Sequence, residues 1–147
     1  MEIKMTVHEG GCLCGDVRIQ ISGEATLEGE CHCGQCRKNC GGNAAAFLMF
    51  PKDAVRLVKG NLRYFDTIAD SGNKIARGFC PNCGTPIMSF LERSDEIVIV
   101  KLGALDDPSF FTPKMVFWTS AAHDWAQFPE GAVLCRENTP PAGEGRA

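Results

Sequence analysis

The 147-residue chain lacks an excess of charge of one sign: 15 Lys and Arg stand against 18 Asp and Glu, a formal net charge of -3. With no basic face and no acidic tail, nucleic acid is a poor first partner. Long hydrophobic runs are missing too. No segment approaches the roughly 18 uninterrupted apolar residues of a membrane span, and the start, MEIKMTVHEGGCLCG, has no apolar core behind a basic region. A cytosolic protein with no membrane partner is therefore expected. Nor is there an internal repeat on the scale of tens of residues, which excludes the repeat architectures. Helix signals are thin: residues after Cys36 could form a turn or two, and Gly41 and Gly42 end it.

What is present is an ordinary globular composition, 44% apolar and 22% charged. The length suits one domain, which at this size buries roughly 70% of the surface exposed by the unfolded chain. Short apolar or alternating runs are separated by turn residues: DVRIQISG, AAAFLMFP, AVRLVKGN, KIARGFCPNCG, EIVIVKLGAL and PKMVFW. In VRIQI, residues Val17, Ile19 and Ile21 share one face and Arg18 and Gln20 the other. The more continuous run from Ile97 to Leu102 reads as a central strand. The expected fold is a mostly β, single metal-pinned domain over residues 1–135 with short helical turns. Residues 136–147, ending in the Pro- and Gly-rich TPPAGEGRA, are expected to form a disordered tail.

The chain is rich in cysteine, with nine. In a reducing compartment these stay thiols, so their clustering points to metal or catalysis rather than to disulfides. In Cys80-Pro-Asn-Cys83-Gly84, proline fixes one dihedral of a tight turn and glycine allows the backbone geometry that aims amides at sulfur. Both thiolates then converge on one ion. Tetrahedral zinc wants four ligands, and Cys12 and Cys14 of GGCLCG could supply the other two. That leaves Cys31, Cys33 and Cys36 of CHCGQC as a triad. Three protein ligands and an exchangeable fourth position are how catalytic zinc sites are built. Alternatively Cys40 is a fourth ligand and the site is a second closed staple. The Cys33-x-x-Cys36 pair could also be redox-active, although no strand-helix thioredoxin pattern surrounds it. His32, between two ligands, is expected to point away from the ion. Arg37 and Lys38 either offset thiolate charge, attract an anion or are simply solvated. Cys135 reads as a buried inert thiol.

Taken together, GGCLCGDVRIQISG, CHCGQCRKNCGG, ARGFCPNCGTPI and VKLGALDDP resemble the glutathione-dependent formaldehyde-activating enzymes, a family sharing its domain with centromere protein V. The resemblance runs from about Gly10 to about Trp125. It implies a β-tent fold holding two zinc ions, with Cys12, Cys14, Cys80 and Cys83 as structural ligands and Cys31, Cys33 and Cys36 as catalytic ones. The implied activity is a carbon-sulfur lyase reaction, the reversible condensation of formaldehyde with glutathione to S-(hydroxymethyl)glutathione. Small-molecule thiol and aldehyde substrates are the implied partners. The same resemblance leaves a non-catalytic zinc module as the alternative. Relatives commonly carry a small hydroxyl residue and Gly after the basic pair, where this chain has Asn39, Cys40 and two glycines.

Overall fold

The alternation in VRIQI becomes strand β2, Arg18–Ser22, which pairs antiparallel with β1, Val7–Gly11, and with β5, Val55–Lys59. As the pattern requires, Val17, Ile19 and Ile21 are buried while Arg18 and Gln20 stay partly wet. The structure, a computed structural model, describes residues 6–138.

A second sheet carries eight strands: β3 (Leu27–Cys31), β4 (Ala45–Pro51), β6 (Arg63–Ile68), β7 (Lys74–Phe79), β8 (Pro86–Leu91), β9 (Ser94–Lys101), β10 (Met115–Phe117) and β11 (Val133–Leu134). Their order is β11-β10-β3-β4-β9-β8-β7-β6. Strand β9, from the run EIVIVK, is central as expected, with β4 on one side and β8 on the other. The protein is thus mostly β. Strands β1, β3, β6, β8 and β11 are additions to the runs read from the sequence.

Period two gives this sheet two different faces. On β4 and β9, Leu48, Phe50, Val98 and Val100 point into the main core, where they meet Val17, Ile19 and Ile21 of the small sheet. Fully burying each of these side chains is worth about 1.5–3 kcal/mol. Phe47, Met49, Ile99 and Lys101 alternate with them and face the other way. There Phe47, Met49 and Ile99 pack with Cys31, Cys33, Cys36, Phe117 and Trp118 in a second, smaller apolar cluster.

The one α-helix among the described residues, α1, runs from Gly34 to Cys40. It begins before Cys36, earlier than expected, because Cys33 caps it: the Cys33 Sγ accepts the Cys36 amide at 3.3 Å. Gly41 ends it in the left-handed conformation, with φ 75°.

Residues just past position 135 hydrogen-bond back to the segment after β10. The Trp118 amide donates to Glu137 O at 3.0 Å, the Ser120 hydroxyl to Arg136 O at 2.6 Å, and the Trp118 indole N–H to Asn138 Oδ1 at 2.6 Å. The remainder of the expected tail, residues 139–147, lies outside the described residues.

Candidate functional site

Two turns bring the first cysteine cluster together. After β1, the chain folds back so that the Gly15 amide donates to Cys12 O at 3.2 Å; between β7 and β8, the Gly84 amide donates to Cys80 O at 2.9 Å. Gly15 and Gly84 have φ 85° and 80°, values that a side chain would strain. Both turns aim amides at sulfur, Val17 N–H to Cys12 Sγ at 3.2 Å and Cys83 N–H to Cys80 Sγ at 3.5 Å. The Leu13 amide also donates to Thr85 Oγ1, cross-linking the turns at 3.1 Å. The four sulfurs of Cys12, Cys14, Cys80 and Cys83 lie within 4.8 Å of one another. Hydrogen bonds from the Thr85 hydroxyl and amide hold the Cys83 thiol down, to about 5, so it is poised as a thiolate.

The second cluster comes from one short stretch. Cys31 ends β3, Cys33 caps α1 and Cys36 lies in its first turn, and their sulfurs also fall within 4.8 Å of one another. The charge within it is unevenly shared. Cys33 is drawn down to about 2 by hydrogen bonds from the Cys31 and Cys36 thiols and from the amides of Cys36 and Gln35. The same contacts, together with burial, push Cys31 up. Two thiols crowded around one thiolate are what a divalent cation would relieve.

Cys40 is not brought into this cluster. Its Sγ lies 3.6 Å from Arg37 O and 3.5 Å from Ala44 O, on the exposed last turn of α1. His32 also stays out: its buried ring meets Phe128 edge-on at 5.3 Å, and Glu30 Oε2 lies 3.9 Å from its Nε2. Arg37 reaches His123 Nε2 at 2.5 Å, and Lys38 is exposed. Cys135 is fully buried, and burial pushes its thiol up.

The triad opens on a cavity of about 210 Å³ on the second face of the large sheet. Phe47, Met49 and Phe117 form its apolar wall, and Arg77, Ser89 and Lys101 supply polar groups that the sequence reading missed. The available signal was their place on the strand period: Arg77 shares a face with Ile75, and Lys101 with Ile99. Burial pushes the Lys101 ammonium down, and its interaction with the neighbouring Cys36 opposes that shift. Trp118 also lines the cavity, held at a strained φ of 61° next to its bond to Asn138. A more open depression of about 700 Å³ along β6, β7 and β8 contains no cysteine. No helix of the described residues is long and apolar enough to cross a membrane.

A crystal structure of a protein from Rhodobacter sphaeroides is similar in fold, with a TM-score of 0.53 and 24% sequence identity, over 67% of this chain and 87% of that one. Residues 7–121 match the sequence family described as glutathione-dependent formaldehyde-activating enzyme, a stretch containing both cysteine clusters. The chain belongs to that family.

Proposed function

We propose that this protein is a zinc-dependent carbon-sulfur lyase that acts on thiol-aldehyde adducts such as S-(hydroxymethyl)glutathione, in a cytoplasmic setting. The observation that carries the reading is the three-sulfur cluster opening on a partly apolar cavity, with no fourth side chain closing it among the described residues. In this reading the fold is a β-tent forming one domain that extends through Asn138, and each chain holds two zinc ions.

The donor sets fit the metal. Tetrahedral zinc with Zn–S near 2.3 Å has sulfurs about 3.8 Å apart along each edge. The Cys12–Cys14 and Cys14–Cys80 sulfur separations are 3.6 and 3.8 Å. Cys12, Cys14, Cys80 and Cys83 would form the closed structural site, and Cys31, Cys33 and Cys36 the catalytic one. Bound at the triad, zinc would lower the pKa of a substrate thiol and stabilise negative charge developing on an aldehyde oxygen.

The chain's own groups supply the rest. In condensation the substrate sulfur attacks the carbonyl carbon: the carbon-sulfur bond forms, the carbonyl π pair moves to oxygen, and that oxygen takes up the proton the thiol gave. The reverse reaction releases the aldehyde. Phe47, Met49 and Phe117 exclude water from the reacting pair, and holding both reactants in one cavity supplies proximity. Lys101 places positive charge on the same face as the triad, where it favours an oxyanion. A closed, non-catalytic module would need Cys40 as its fourth ligand, and the Cys40 sulfur turns to backbone carbonyls instead.

The test is formaldehyde release from S-(hydroxymethyl)glutathione by the zinc-loaded protein, measured against spontaneous decay of the adduct. A rate above background is expected. A rate equal to background in protein carrying two zinc ions would defeat the reading.

A further inference from the structure

Behind the triad, the cavity wall contains a polar row in which Arg77 and Ser89 have no role in the condensation of neutral formaldehyde. Arg77, Ser89 and Ile99 stand side by side across β7, β8 and β9, and Lys101 follows Ile99 on the same face. Arg77 is 6% exposed and Ser89 not at all. The Arg77 Nη1 donates to Thr67 Oγ1 at 2.6 Å, Thr67 donates to Gln35 Oε1 at 3.3 Å, and Gln35 lies on α1 beside the cysteines. The guanidinium is thus fixed from the triad's own helix. Its Nε and the Ser89 hydroxyl, however, have no hydrogen-bond partner in the protein. Burying such groups unpaired is costly, and Arg77 forms no ion pair among the described residues.

Charge counting points the same way. A divalent ion on three thiolates carries one net negative charge, while Arg77 and Lys101 bring two positive ones. Asp70 and Arg93, which also line the cavity, offset each other. One positive charge is left over, in a site with two unused donors.

We propose that Arg77, Ser89 and Lys101 form an oxyanion subsite that binds a carboxylate of the substrate. The inference rests on reading the triad cavity as the reaction site, and it names the substrate class: a compact adduct in which a carboxylate lies a few bonds from the reacting sulfur or carbonyl. The cavity's 210 Å³ is smaller than the roughly 300–1,000 Å³ usual for drug-sized ligands. A small thiol acid or aldehyde acid fits that space with its charge on Arg77 and its reacting atom toward the cysteines.

The carboxylate can come from either reactant, and titration calorimetry on the zinc-loaded protein separates the sources. One pair of probes is 3-mercaptopropionate against 2-mercaptoethanol, the other glyoxylate against acetaldehyde. In at least one pair the acid is expected to bind roughly 10- to 100-fold more tightly, the worth of a charge-assisted hydrogen bond in a buried site. Arg77→Met should abolish the preference and Arg77→Lys should keep part of it. Ser89→Ala should weaken acid binding roughly 3- to 10-fold while leaving the thermal midpoint unchanged or higher, because it removes a hydroxyl that is unpaired without ligand. A purely structural serine would do the opposite. If Arg77→Met does not fold, Ser89→Ala decides alone. Acids that bind no better than their neutral partners, or a preference that survives both substitutions, overturn the subsite. Absence of formaldehyde release together with an intact acid preference would defeat the lyase reading and leave the subsite standing.

Discussion

The two cysteine clusters use the same chemistry with opposite connectivity. Cys14 and Cys80 are 66 residues apart in sequence, yet their sulfurs lie 3.8 Å apart and join the turn after β1 to the turn between β7 and β8. Cys31, Cys33 and Cys36 all fall within six residues, and the first turn of α1 gathers them. Closing a long loop costs chain entropy that only a bound state repays, so with an ion bound a long-range cluster would stabilise the fold in proportion to how tightly it holds that ion. A local cluster closes almost no loop. Its thiolates can therefore serve chemistry without the fold depending on them.

The sharpest way to break this contrast is to remove one ligand from the long-range cluster. Cys80→Ser, or Cys12→Ser, should leave a protein that aggregates or melts without cooperativity, because metal-linked folding energy in small domains is on the order of 10 kcal/mol. A melt within a few degrees of wild type would show that the clip is dispensable.

The matching change in the local cluster should separate stability from chemistry. Cys36→Ser is expected to fold and melt close to wild type while formaldehyde release falls to the uncatalysed rate. Circular dichroism melts and the release assay, run on the same preparation, check both halves. Equal destabilisation by Cys36→Ser and Cys80→Ser would make both clusters structural.

Metal removal sharpens the same comparison without mutation. Four thiolates hold an ion better than three, so graded chelation should remove zinc in two phases, with activity lost in the first and the fold in the second. A single phase at one equivalent would remove the basis for two sites.

How far the sequence revealed these sites depends on whether their geometry is local. Cys80-Pro-Asn-Cys83-Gly84 is legible because its turn is dictated by proline and glycine within five residues, and the structure gives Gly84 the positive φ that the spacing calls for. The start of α1 was less legible: Gly34 is a poor helix former, and a cysteine rather than Ser, Thr or Asp provides the cap. Strand β3, LEGEC, carries two glutamates and a glycine, and β6, RYFDTI, is an exposed edge. Neither shows the clean alternation of a half-buried strand, since pairing with neighbours rather than pattern makes them strands. Arg77, Ser89 and Lys101 were invisible as a group because three different strands bring them to one face.

The smallest effect is expected at Cys40, the one thiol of the CHCGQCRKNC stretch that stands apart from both clusters. Its sulfur accepts the Gly42 amide at 3.3 Å and lies within reach of the Arg37 and Ala44 carbonyls, so it acts as part of the turn that ends α1. A serine hydroxyl can make the same contacts at shorter range. Cys40→Ser should therefore retain both zinc ions, shift stability by no more than about 0.5 kcal/mol as exposed substitutions usually do, and leave formaldehyde release within a factor of two of wild type. Metal analysis after a fixed chelator challenge is the decisive measurement. Were Cys40 to swing in as a fourth ligand, its replacement would exchange a thiolate for water or a weak hydroxyl, and the more labile zinc would leave at markedly lower chelator concentration. That result would close the triad and make the two clusters alike in ligand count, differing only in the length of chain that each one ties.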